Sequence, residues 1–405
     1  MPDSCCSGSP RKRKQPYDCN QTTAAIASVK HEPCCSAPAQ NATNDTQTVG
    51  QACASSCDAS ELRHKWIAGT VDTPTGPVPR VHTTLAFGDM LGSWKARWNI
   101  GRMDYSVDPG LYCVGAPDDK SPVLVTANYK MTFDRLRKEL TNVNAWILVL
   151  DTKGINVWCA AGKGTFGTEE LLRRIEESRL KQVVSHRILI LPQLGAVGVA
   201  AHEVAKQSGF KVTYGPVRAE DLKAYLAAGM KASEEMRRVR FTLWDRLVLA
   251  PLEVVMALKP MMIVFGVLFI LNAIGIGHYG FMDLVAYLGT ILAGCVLTPA
   301  LLPWIPGRAF SFKGALVGML WAVGVILLAG WVPPMPLESW MKAIAYVLVL
   351  PSLSAYGAMN FTGSSTFTSM SGVDREMRIA LPLMLIATAL GVILLIVQDF
   401  IVLFH

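Results

Sequence analysis

The stretch Gly154-Ile-Asn-Val-Trp-Cys159-Ala-Ala-Gly-Lys-Gly164 decides the fold, because it lies between a strand-like segment and a helix-like one. Residues 145–151 are almost uniformly apolar, a pattern that predicts a buried strand. Thr168, followed by Glu169 and Glu170, is typical of the first turn of a helix. The stretch is therefore expected to be a loop at the carboxyl end of a strand, where open α/β sheets bind their ligands.

The same alternation of strands and helices continues on both sides of this loop. Strands are predicted over residues 123–127, 145–151, 186–191 and 211–214, and helices over residues 132–140, 168–180, 196–208 and 219–239. This order predicts an α/β domain with a mostly parallel sheet. Residues 62–112, which contain several Gly, Pro and Trp residues, are expected to form an irregular lead-in. A Walker A phosphate loop is excluded, because it requires Gly at position 157 and Ser or Thr at position 164, where this chain has Val and Gly.

The chain becomes strongly apolar and nearly free of charges after residue 247. Five stretches approach or exceed the ~20 residues needed to span ~30 Å of hydrocarbon. They lie near residues 260–278, 282–303, 314–332, 340–359 and 378–403. Residues 243–258 mix Trp and charged residues with apolar ones and are expected to lie along the membrane interface first. These features predict a C-terminal, all-α membrane domain of about five transmembrane helices.

Basic residues indicate how these spans are oriented. With the α/β domain in the cytosol, Arg308, Lys313, Arg375 and Arg378 fall in cytosolic loops, and only Lys342 falls on the opposite side. The positive-inside rule favours this arrangement, so we expect a multi-pass protein of the cytoplasmic membrane with its N-terminal domain in the cytosol. The net charge of +7 is assigned to these flanks rather than to nucleic-acid binding, for which no module is visible.

Seven of the ten cysteines lie within the first 57 residues, a region rich in Ser, Ala, Asn, Gln and Thr. We predict a disordered tail over residues 1–60, a cytosolic α/β domain over residues 61–240 and a transmembrane domain over residues 241–405. A tail in the reducing cytosol is expected to hold free thiols. Its adjacent pairs could bind a soft, thiophilic metal ion, the alternative being an inert tail. These pairs are Cys5, Cys6, Cys34 and Cys35.

Five sequence motifs carry a resemblance to a known family. They are Pro109-Gly-Leu-Tyr112, Pro122-Val-Leu-Val-Thr-Ala-Asn-Tyr-Lys130, Trp146-Ile-Leu-Val-Leu-Asp-Thr-Lys-Gly154, Asn156-Val-Trp-Cys-Ala-Ala-Gly-Lys163 and Leu191-Pro-Gln-Leu-Gly195. Together they resemble the corrinoid protein of the bacterial and archaeal mercury-methylating pair, and the corrinoid domain of the iron–sulfur carrier of the acetyl-CoA pathway. The resemblance covers residues 85–230, and a multi-helix membrane tail extends it to the end of the chain.

This resemblance implies a Rossmann-like, corrinoid-binding domain whose cofactor is a cobalamin-type corrinoid with its cobalt. It implies that Cys159 is the catalytic residue and takes the lower axial position on cobalt. Many cobalamin enzymes fill that position with a histidine from an Asp-x-His-x-x-Gly motif, but no histidine of this chain lies in that motif. A strongly donating sulfur would favour transfer of the methyl group as a carbanion equivalent, which an electrophile such as Hg(II) requires. The implied function is corrinoid-dependent methylation of Hg(II) to methylmercury.

The same resemblance implies the partners of the protein. After a carbanion has left, two electrons are needed before cobalt accepts the next methyl group, and this chain contains no iron–sulfur cluster motif to supply them. A ferredoxin-like iron–sulfur protein is therefore the expected electron donor, and a methylated folate is the expected methyl source. The cysteine pairs of the tail are expected to capture the Hg(II) substrate.

Three strand-end segments are expected to surround the cofactor. The central one supplies Cys159, with Trp158 as a packing wall and Lys163 as a partner for amide or phosphate groups. Small residues beside them would let the backbone approach a macrocycle closely. The candidate cofactor-binding residues are Thr126, Asn128, Asn156, Val157, Trp158, Cys159, Ala160, Ala161, Gly162, Lys163, Gln193, Gly195 and Ala196.

The sequence alone leaves other interpretations open. Cys159 could be a small buried core thiol, which is common for cysteine. The chain could be a corrinoid methyl carrier for another acceptor or, in a different class, a metal-ion transporter with a cysteine-rich capture tail. The predicted spans hold almost no ionisable residues beyond Asp283 and Asp399 near their ends, and this scarcity favours an anchor over an ion path. The hydroxyl-rich loop over residues 360–372 is expected to face the soluble domain or its cofactor.

Overall fold

The structure is a computed structural model that describes residues 64–275, 277–364 and 370–404. The predicted tail over residues 1–60 lies outside these ranges, and with it Cys5, Cys6, Cys34 and Cys35. The middle of the hydroxyl-rich loop also lies outside them. The division of the chain at residues 60 and 240 therefore stays a prediction.

The α/β part of the chain comes first. Its elements are β1 Ile67–Thr73, β2 Gly76–Val81, α1 Phe87–Arg97, β3 Gly110–Val114, β4 Val123–Ala127, α2 Lys130–Glu139, β5 Ala145–Leu150, α3 Val157–Lys163, α4 Thr168–Glu177, α5 Leu180–Val183, β6 Ile188–Leu191, α6 Ala201–Ser208, β7 Lys211–Tyr214, α7 Leu222–Ala227 and α8 Glu234–Arg237. The helical part follows, with α9 Leu243–Leu247, α10 Ala250–Ala273, α11 Phe281–Leu292, α12 Thr298–Leu301, α13 Phe310–Leu328, α14 Leu337–Asn360 and α15 Met370–Phe404.

The strands form one mixed sheet in the order β1-β2-β3-β5-β4-β6-β7. The pairs β5/β4, β4/β6 and β6/β7 are parallel, and so is the single bridge between β2 and β3. The pairs β1/β2 and β3/β5 are antiparallel. The sheet is thus mostly parallel, as predicted, with an extension at one edge that contains both antiparallel pairs.

This extension shows that the predicted irregular lead-in over residues 62–112 is wrong. The segment forms the β1/β2 hairpin, α1 and the start of β3. Its hairpin turn places Gly76 at φ +117°, which favours glycine. Pro77 and Pro79 are tolerated inside β2 because this strand pairs with β1 along its length but with β3 at Arg80 alone. The glycine and prolines that suggested irregular structure therefore lie beside a turn or in a strand whose second edge is almost unpaired.

Helices cover both faces of the sheet and determine where a ligand can bind. On one face, α3, α4 and α6 pack on a core that includes Val125, Leu148 and Leu189. On the other face, α2 and α7 pack on a core that includes Leu124 and Ile147. Strand β4 lies between β5 and β6 in the sheet. The connection from β4 leads to β5 on one side of it, and the connection from β5 leads back across β4 to β6 on its other side. The carboxyl ends of β4 and β6 therefore form a topological switch point, where open α/β sheets have their crevice.

Two predicted helices have different bounds in the structure. The helix predicted over residues 219–239 breaks into a 3-10 turn, α7 and α8, because Gly229 and Met230 adopt φ values of +66° and +62°. The helix predicted over residues 196–208 begins only at Ala201, because residues 193–198 turn back against α3. The first difference comes from left-handed backbone and the second from a tightly packed turn. Hydrophobic periodicity indicates neither of them.

The helical part contains five helices long and apolar enough to cross a membrane, as predicted. They are Leu243–Ala273, Phe281–Leu301, Phe310–Leu328, Leu337–Asn360 and Gly372–Leu403. The first of them includes the residues 243–258 that we predicted to lie separately along the interface, because Pro260 is accommodated inside α10 without ending it.

The spans are oriented relative to the α/β part by contacts near their ends. The Arg246 guanidinium donates to the carbonyl oxygens of Pro299 and Ala300 at 3.0 and 2.7 Å, at the end of the second span. The rings of Phe241 and Phe361 lie 6.1 Å apart, at the end of the fourth span. The ends of the second and fourth spans therefore lie beside residues 241–246, which follow the α/β part along the chain.

The two acidic residues predicted near the ends of the spans, Asp283 and Asp399, are buried in the bundle. The Asp283 carboxylate is buried and accepts from Tyr346 and from Lys342 at 2.9 Å. Asp399 is also buried, with an oxygen 3.9 Å from Nδ1 of His278. Among the described residues, no three His, Cys, Asp or Glu side chains form a group that could hold a metal ion. The bundle therefore pairs its charges internally.

A buried ion network attaches α1 to the α/β part. The Asp89 carboxylate accepts from Lys130 at 2.9 Å and from Arg137 at 2.8 Å, and both cations also pair with Asp134. Burial alone would raise the pKa of Asp89, but the hydrogen bond from Lys130, its charge, the Ala86 amide and Arg137 outweigh it and hold that pKa below the usual 3.8. The stabilisation from these ion pairs is therefore present above pH 3.8 and lost as the pH falls through the lowered value.

Replacing Asp89 by Asn should destabilise the protein by about 1–3 kcal/mol near neutral pH, because Lys130 and Arg137 lose a charged acceptor. The measurement is the free energy of unfolding of the full chain in detergent, followed by tryptophan fluorescence. At about pH 3 the difference from the wild type should shrink, because the carboxylate is then being protonated. Asp104→Asn, at an exposed acid of the neighbouring segment, is the control. A deficit of equal size at both pH values would contradict this role.

Candidate functional site

We predicted a loop over residues 154–164, and this prediction is wrong. The stretch contains the short helix α3. Asn156 caps this helix, because its Oδ1 accepts a hydrogen bond from the Cys159 amide at 2.9 Å. The helix ends at Gly164, whose φ of +83° is readily adopted by glycine. Cys159 is therefore held in the first turn of a capped helix that follows the carboxyl end of β5.

The two faces of α3 have different environments. Val157, Ala160 and Ala161 are buried against the sheet core, so they hold the helix rather than line its surface. The outward residues are Trp158, Cys159, Gly162 and Lys163, all of which are exposed. The helix thus presents the thiol to the outside and anchors itself through small apolar residues.

Cys159 differs from the other cysteines that the structure describes. Cys113 and Cys295 are buried, whereas Cys159 is exposed. Burial raises the pKa of the Cys113 thiol to about 12, which keeps it protonated and unreactive. The interpretation of Cys159 as a buried core thiol is therefore wrong. Within the described ranges it is the cysteine available to a ligand.

Open space lies beside the thiol. Gly162 is one turn after Cys159 on the same outward face, and a Cβ atom built on it would meet nothing within 4 Å. Trp158 borders the same surface and is 37% exposed. A flat, bulky ligand could therefore approach the sulfur without displacing a side chain at position 162.

Asn128, directly after β4, fastens the turn that leads into α3. Its Oδ1 accepts three hydrogen bonds, from the Thr152 amide at 3.1 Å, the Thr152 hydroxyl at 2.8 Å and the Gly154 amide at 3.0 Å. Its Nδ2 donates to Asp151 at 3.4 Å. Asn128 and Thr152 are both buried, so these bonds are shielded from water. Asn128 therefore positions the Cys159 helix through the turn.

The turn needs this attachment because its backbone is unusual. Lys153 and Gly154 adopt consecutive φ values of +58° and +68°. A Cβ on Gly154 would lie 2.9 Å from the carbonyl oxygen of Met103, so a larger residue would force the backbone apart. The Asp151 amide donates to Glu170 at 2.8 Å, which connects the same turn to α4. Segments distant in sequence thus fix the direction in which α3 leaves the sheet.

The third predicted segment, after β6, packs against α3. Gly198 approaches so closely that a Cβ there would lie 2.2 Å from the Phe166 carbonyl oxygen and 3.0 Å from Cα of Ala161. The hydroxyl of Thr168, the first residue of α4 as predicted, accepts from the Ala200 amide at 2.8 Å. The ends of β5 and β6 therefore form one continuous surface across the switch point.

Gln193 in this segment carries an unsatisfied polar atom. Its Oε1 is buried and has no hydrogen-bond partner in the described part of the chain. A buried unpaired group of this kind costs about 1–3 kcal/mol, so it usually signals a missing partner. A ligand with amide N–H donors, such as the side chains around a corrin ring, would satisfy it. Together with the exposed thiol and the open space at Gly162, this fits a corrinoid.

The remaining predicted site residues have varied surroundings. Thr126 is buried within β4, opposite Val149 of β5, and Gly195 is buried where a Cβ would lie 2.6 Å from the Phe166 ring. Ala196 is partly exposed, and Lys163 is exposed at the end of α3. Their contact with a cofactor stays a prediction.

Sequence reasoning missed the residues that position the site rather than line it. Thr152 and Glu170 hold the turn, and no motif around either signals this. Asn156 was expected to approach the ligand closely, whereas its side chain caps α3. An asparagine directly before Val-Trp-Cys could have indicated a helix start, since asparagine is among the preferred N-cap residues.

The part of the chain that holds this candidate site is similar to known proteins. Residues 98–226 match the family model described as CO dehydrogenase/acetyl-CoA synthase delta subunit. The chain is 34% identical over 127 residues to the acetyl-CoA decarbonylase/synthase complex subunit gamma of Methanopyrus kandleri, and 42% identical over 97 residues to that of Methanocaldococcus jannaschii. It is 29% identical over 143 residues to the corrinoid/iron–sulfur protein large subunit of Moorella thermoacetica. The similarity thus includes both the turn and α3.

These similarities are confined to part of each protein. The three matches cover 31%, 24% and 35% of this chain, and 27%, 20% and 32% of the relatives. The chain therefore spans less than a third of the length of these curated relatives. The family match begins after α1 and ends before the first apolar helix.

Replacing Asn128 by Ala should free the turn and α3, because it removes the acceptor of three hydrogen bonds and leaves buried donors unpaired. We expect faster hydrogen–deuterium exchange over residues 151–163 and a loss of about 1–3 kcal/mol in stability. Thr152→Val keeps the shape and the two amide bonds to Asn128 but removes the hydroxyl, which contacts Asn128 and the Ile155 carbonyl oxygen, so it should have a smaller effect. Exchange that is unchanged in Asn128→Ala would show that the turn is held by other contacts.

Proposed function

We propose that this chain is a membrane-anchored, corrinoid-dependent methyltransferase whose methyl acceptor is Hg(II). The observation that carries the proposal is the exposed Cys159 thiol on a capped helix at the sheet's switch point. The similarity of residues 98–226 to proteins of corrinoid-containing complexes supports the cofactor class. The resemblance of the motif around Cys159 to the mercury-methylating pair supports the acceptor.

In this function the bound corrinoid supplies cobalt as the carrier of the methyl group. Cys159 would hold the cobalt through its sulfur, and the cap from Asn156 would keep that sulfur in position. Gly162 would leave room for the ring, and Trp158 would form a wall beside it. The Gln193 amide would accept a hydrogen bond from a ring substituent.

The sulfur of Cys159 determines in which direction the electrons move. A thiolate donates electron density more strongly than the imidazole used by many corrinoid proteins, so Cys159 would help the methyl group leave with the bonding electron pair. That pair would form the new carbon–mercury bond, because Hg(II) is an electrophile and accepts an electron pair. Transfer as a methyl cation could not join carbon to Hg(II), because the methyl cation and Hg(II) both accept an electron pair and neither supplies one.

This electron balance requires an external reductant. Two electrons depart with each methyl group, while each incoming methyl cation equivalent brings none. The described residues contain no group of side chains that could hold a redox metal cluster. We therefore propose a ferredoxin-like iron–sulfur protein as electron donor and a methylated folate as the methyl source. The tail cysteines Cys5, Cys6, Cys34 and Cys35 would bind Hg(II) before transfer.

The location of the protein follows from the helical part. Five helices of sufficient length and apolarity would anchor the chain in the cytoplasmic membrane, with the α/β part in the cytosol. An ion-transporting role is less favoured, because the buried Asp283 and Asp399 are paired with cationic or aromatic neighbours. A corrinoid carrier for another acceptor uses the same site and is separated from this proposal by assay with Hg(II).

Replacing Cys159 by Ala should change the visible absorption spectrum of the full chain loaded with corrinoid and abolish methylmercury formation. Cys159→His should keep corrinoid binding, because imidazole nitrogen also ligates cobalt, but should lower turnover by weakening electron donation. Binding is measured by absorbance and product by mass spectrometry. An Ala variant with the wild-type spectrum and full activity would refute the role of Cys159. Normal spectra without methylmercury would support a carrier for another acceptor.

Replacing Gly162 by Leu should abolish corrinoid binding without loss of stability, because the added side chain would occupy the open face beside Cys159. A glycine inside a helix costs about 1 kcal/mol relative to good helix formers, so α3 itself should not be weakened. Gly88→Leu adds the same side chain to α1 at an equally open position and is the matched control. Retained corrinoid affinity in Gly162→Leu would show that the ligand does not lie over α3.

A further inference from the structure

Helix α1 exposes apolar side chains where a surface helix normally carries polar ones. Phe87, Met90, Leu91 and Trp94 recur at the spacing of one helical face, and their exposed fractions are 75%, 54%, 38% and 54%. Contiguous apolar surface of this kind usually marks an interaction site. Helix α1 ends directly before residues 98–226, which match the family model.

Contacts on the opposite face of α1 hold the helix in one orientation, so it cannot rotate to bury this surface. Asp89 points inward into the ion network with Lys130 and Arg137. A Cβ on Gly92 would lie 2.7 Å from the Tyr105 ring, so the helix packs tightly there, and Ala96 is fully buried. The apolar face is therefore fixed towards the outside.

The C-terminal end of α1 contacts the first apolar helix. An Nη1 nitrogen of Arg97 donates to the Val248 carbonyl oxygen at 3.4 Å, and Nδ2 of Asn99 lies 3.2 Å from the Met256 sulfur. Val248 and Met256 belong to the candidate span Leu243–Ala273. Helix α1 thus lies beside the N-terminal half of that candidate span.

The residues after α1 continue the same surface. Ile100 and Met103 are 56% and 65% exposed, so the apolar face extends beyond the end of the helix. Lys95 is exposed at its margin, next to Arg97. An apolar face bordered by Trp and basic side chains is typical of helices that lie in the interface of a membrane with anionic lipids.

We propose that α1 lies in the boundary between head groups and acyl chains of the same phospholipid bilayer that the five spans cross. Phe87, Met90, Leu91 and Trp94 would enter the acyl region, and Lys95 would meet head-group phosphates. The proposal commits to lipid as the occupant because the face is continuous with a membrane span through Val248 and Met256. It does not depend on the corrinoid or on the methyl acceptor.

This placement has a consequence for the site. The segment after α1 contacts the Cys159 turn, since Met103 lies against Gly154, and it pairs with the end of β4, where the Val107 amide donates to the Asn128 carbonyl oxygen at 2.8 Å. Insertion of α1 would therefore hold the carboxyl edge of the sheet close to the membrane surface.

The experiment uses the full chain in nanodiscs whose anionic phospholipid carries a photoactivatable diazirine on one acyl chain, close to the head group. After illumination, mass spectrometry maps the lipid adducts. We expect adducts on α1 several-fold above those on α6, an exposed helix of the same α/β part without such a face. Adducts on the spans but not on α1 would overturn the proposal and indicate that the face binds a protein instead.

A variant pair makes the assignment specific. Met90→Glu with Trp94→Glu should remove most adducts from α1 while leaving those on the spans, because charges are costly in the acyl region. Both side chains are exposed, so the fold should be kept, which circular dichroism and unchanged Cys159 alkylation would verify. Lys95→Gln, on the same helix, should retain acyl adducts. Equal adduct yields in the double variant and the wild type would contradict insertion.

Discussion

Three hydrogen bonds to one buried oxygen hold the candidate site together. Oδ1 of Asn128 accepts from Thr152 twice and from Gly154 once, and so joins the end of β4 to the turn after β5. Without this acceptor, the buried amides of Thr152 and Gly154 would have no hydrogen-bond partner, in a turn that already contains two consecutive left-handed residues. Because the turn sets the direction of α3, the position of the Cys159 sulfur depends on a residue that does not need to touch the ligand.

The topology explains why this attachment lies where a ligand would bind. Crossovers on opposite faces of the sheet leave the ends of β4 and β6 without a covering helix between them. Helix α3 and the segment after β6 meet there, brought together by the close approach of Gly198 to Phe166. Two elements that pack on the sheet core carry the features of the site. Helix α3 holds the exposed thiol and the open space at Gly162, and the segment after β6 holds the unpaired oxygen of Gln193. Such preorganisation is what a cofactor site with one decisive ligand atom requires.

The sequence was sufficient for the parallel strands and the five apolar helices, because each depends on local pattern, and it also predicted that Cys159 would not be a core residue. It was insufficient for β1, β2 and β3, whose prolines and glycines are compatible with strands only at a weakly paired edge. It also failed for α3, because a helix of seven residues is marginal alone and is stabilised here by packing of Ala160 and Ala161. The positioning role of Asn128 depends on contacts across more than twenty residues, which no local pattern contains.

The central claim is that the Cys159 sulfur ligates cobalt, and X-ray absorption at the cobalt edge tests it most directly. The full chain loaded with corrinoid should show a sulfur neighbour of cobalt, and the spectrum of Cys159→Ala should lack that neighbour while retaining the ring nitrogens. This result would follow from a thiol that is exposed, bordered by open space and carried by a helix that Asn156 caps. Cobalt surrounded by nitrogen and oxygen alone in the wild-type protein, with the same spectrum in the variant, would contradict the account.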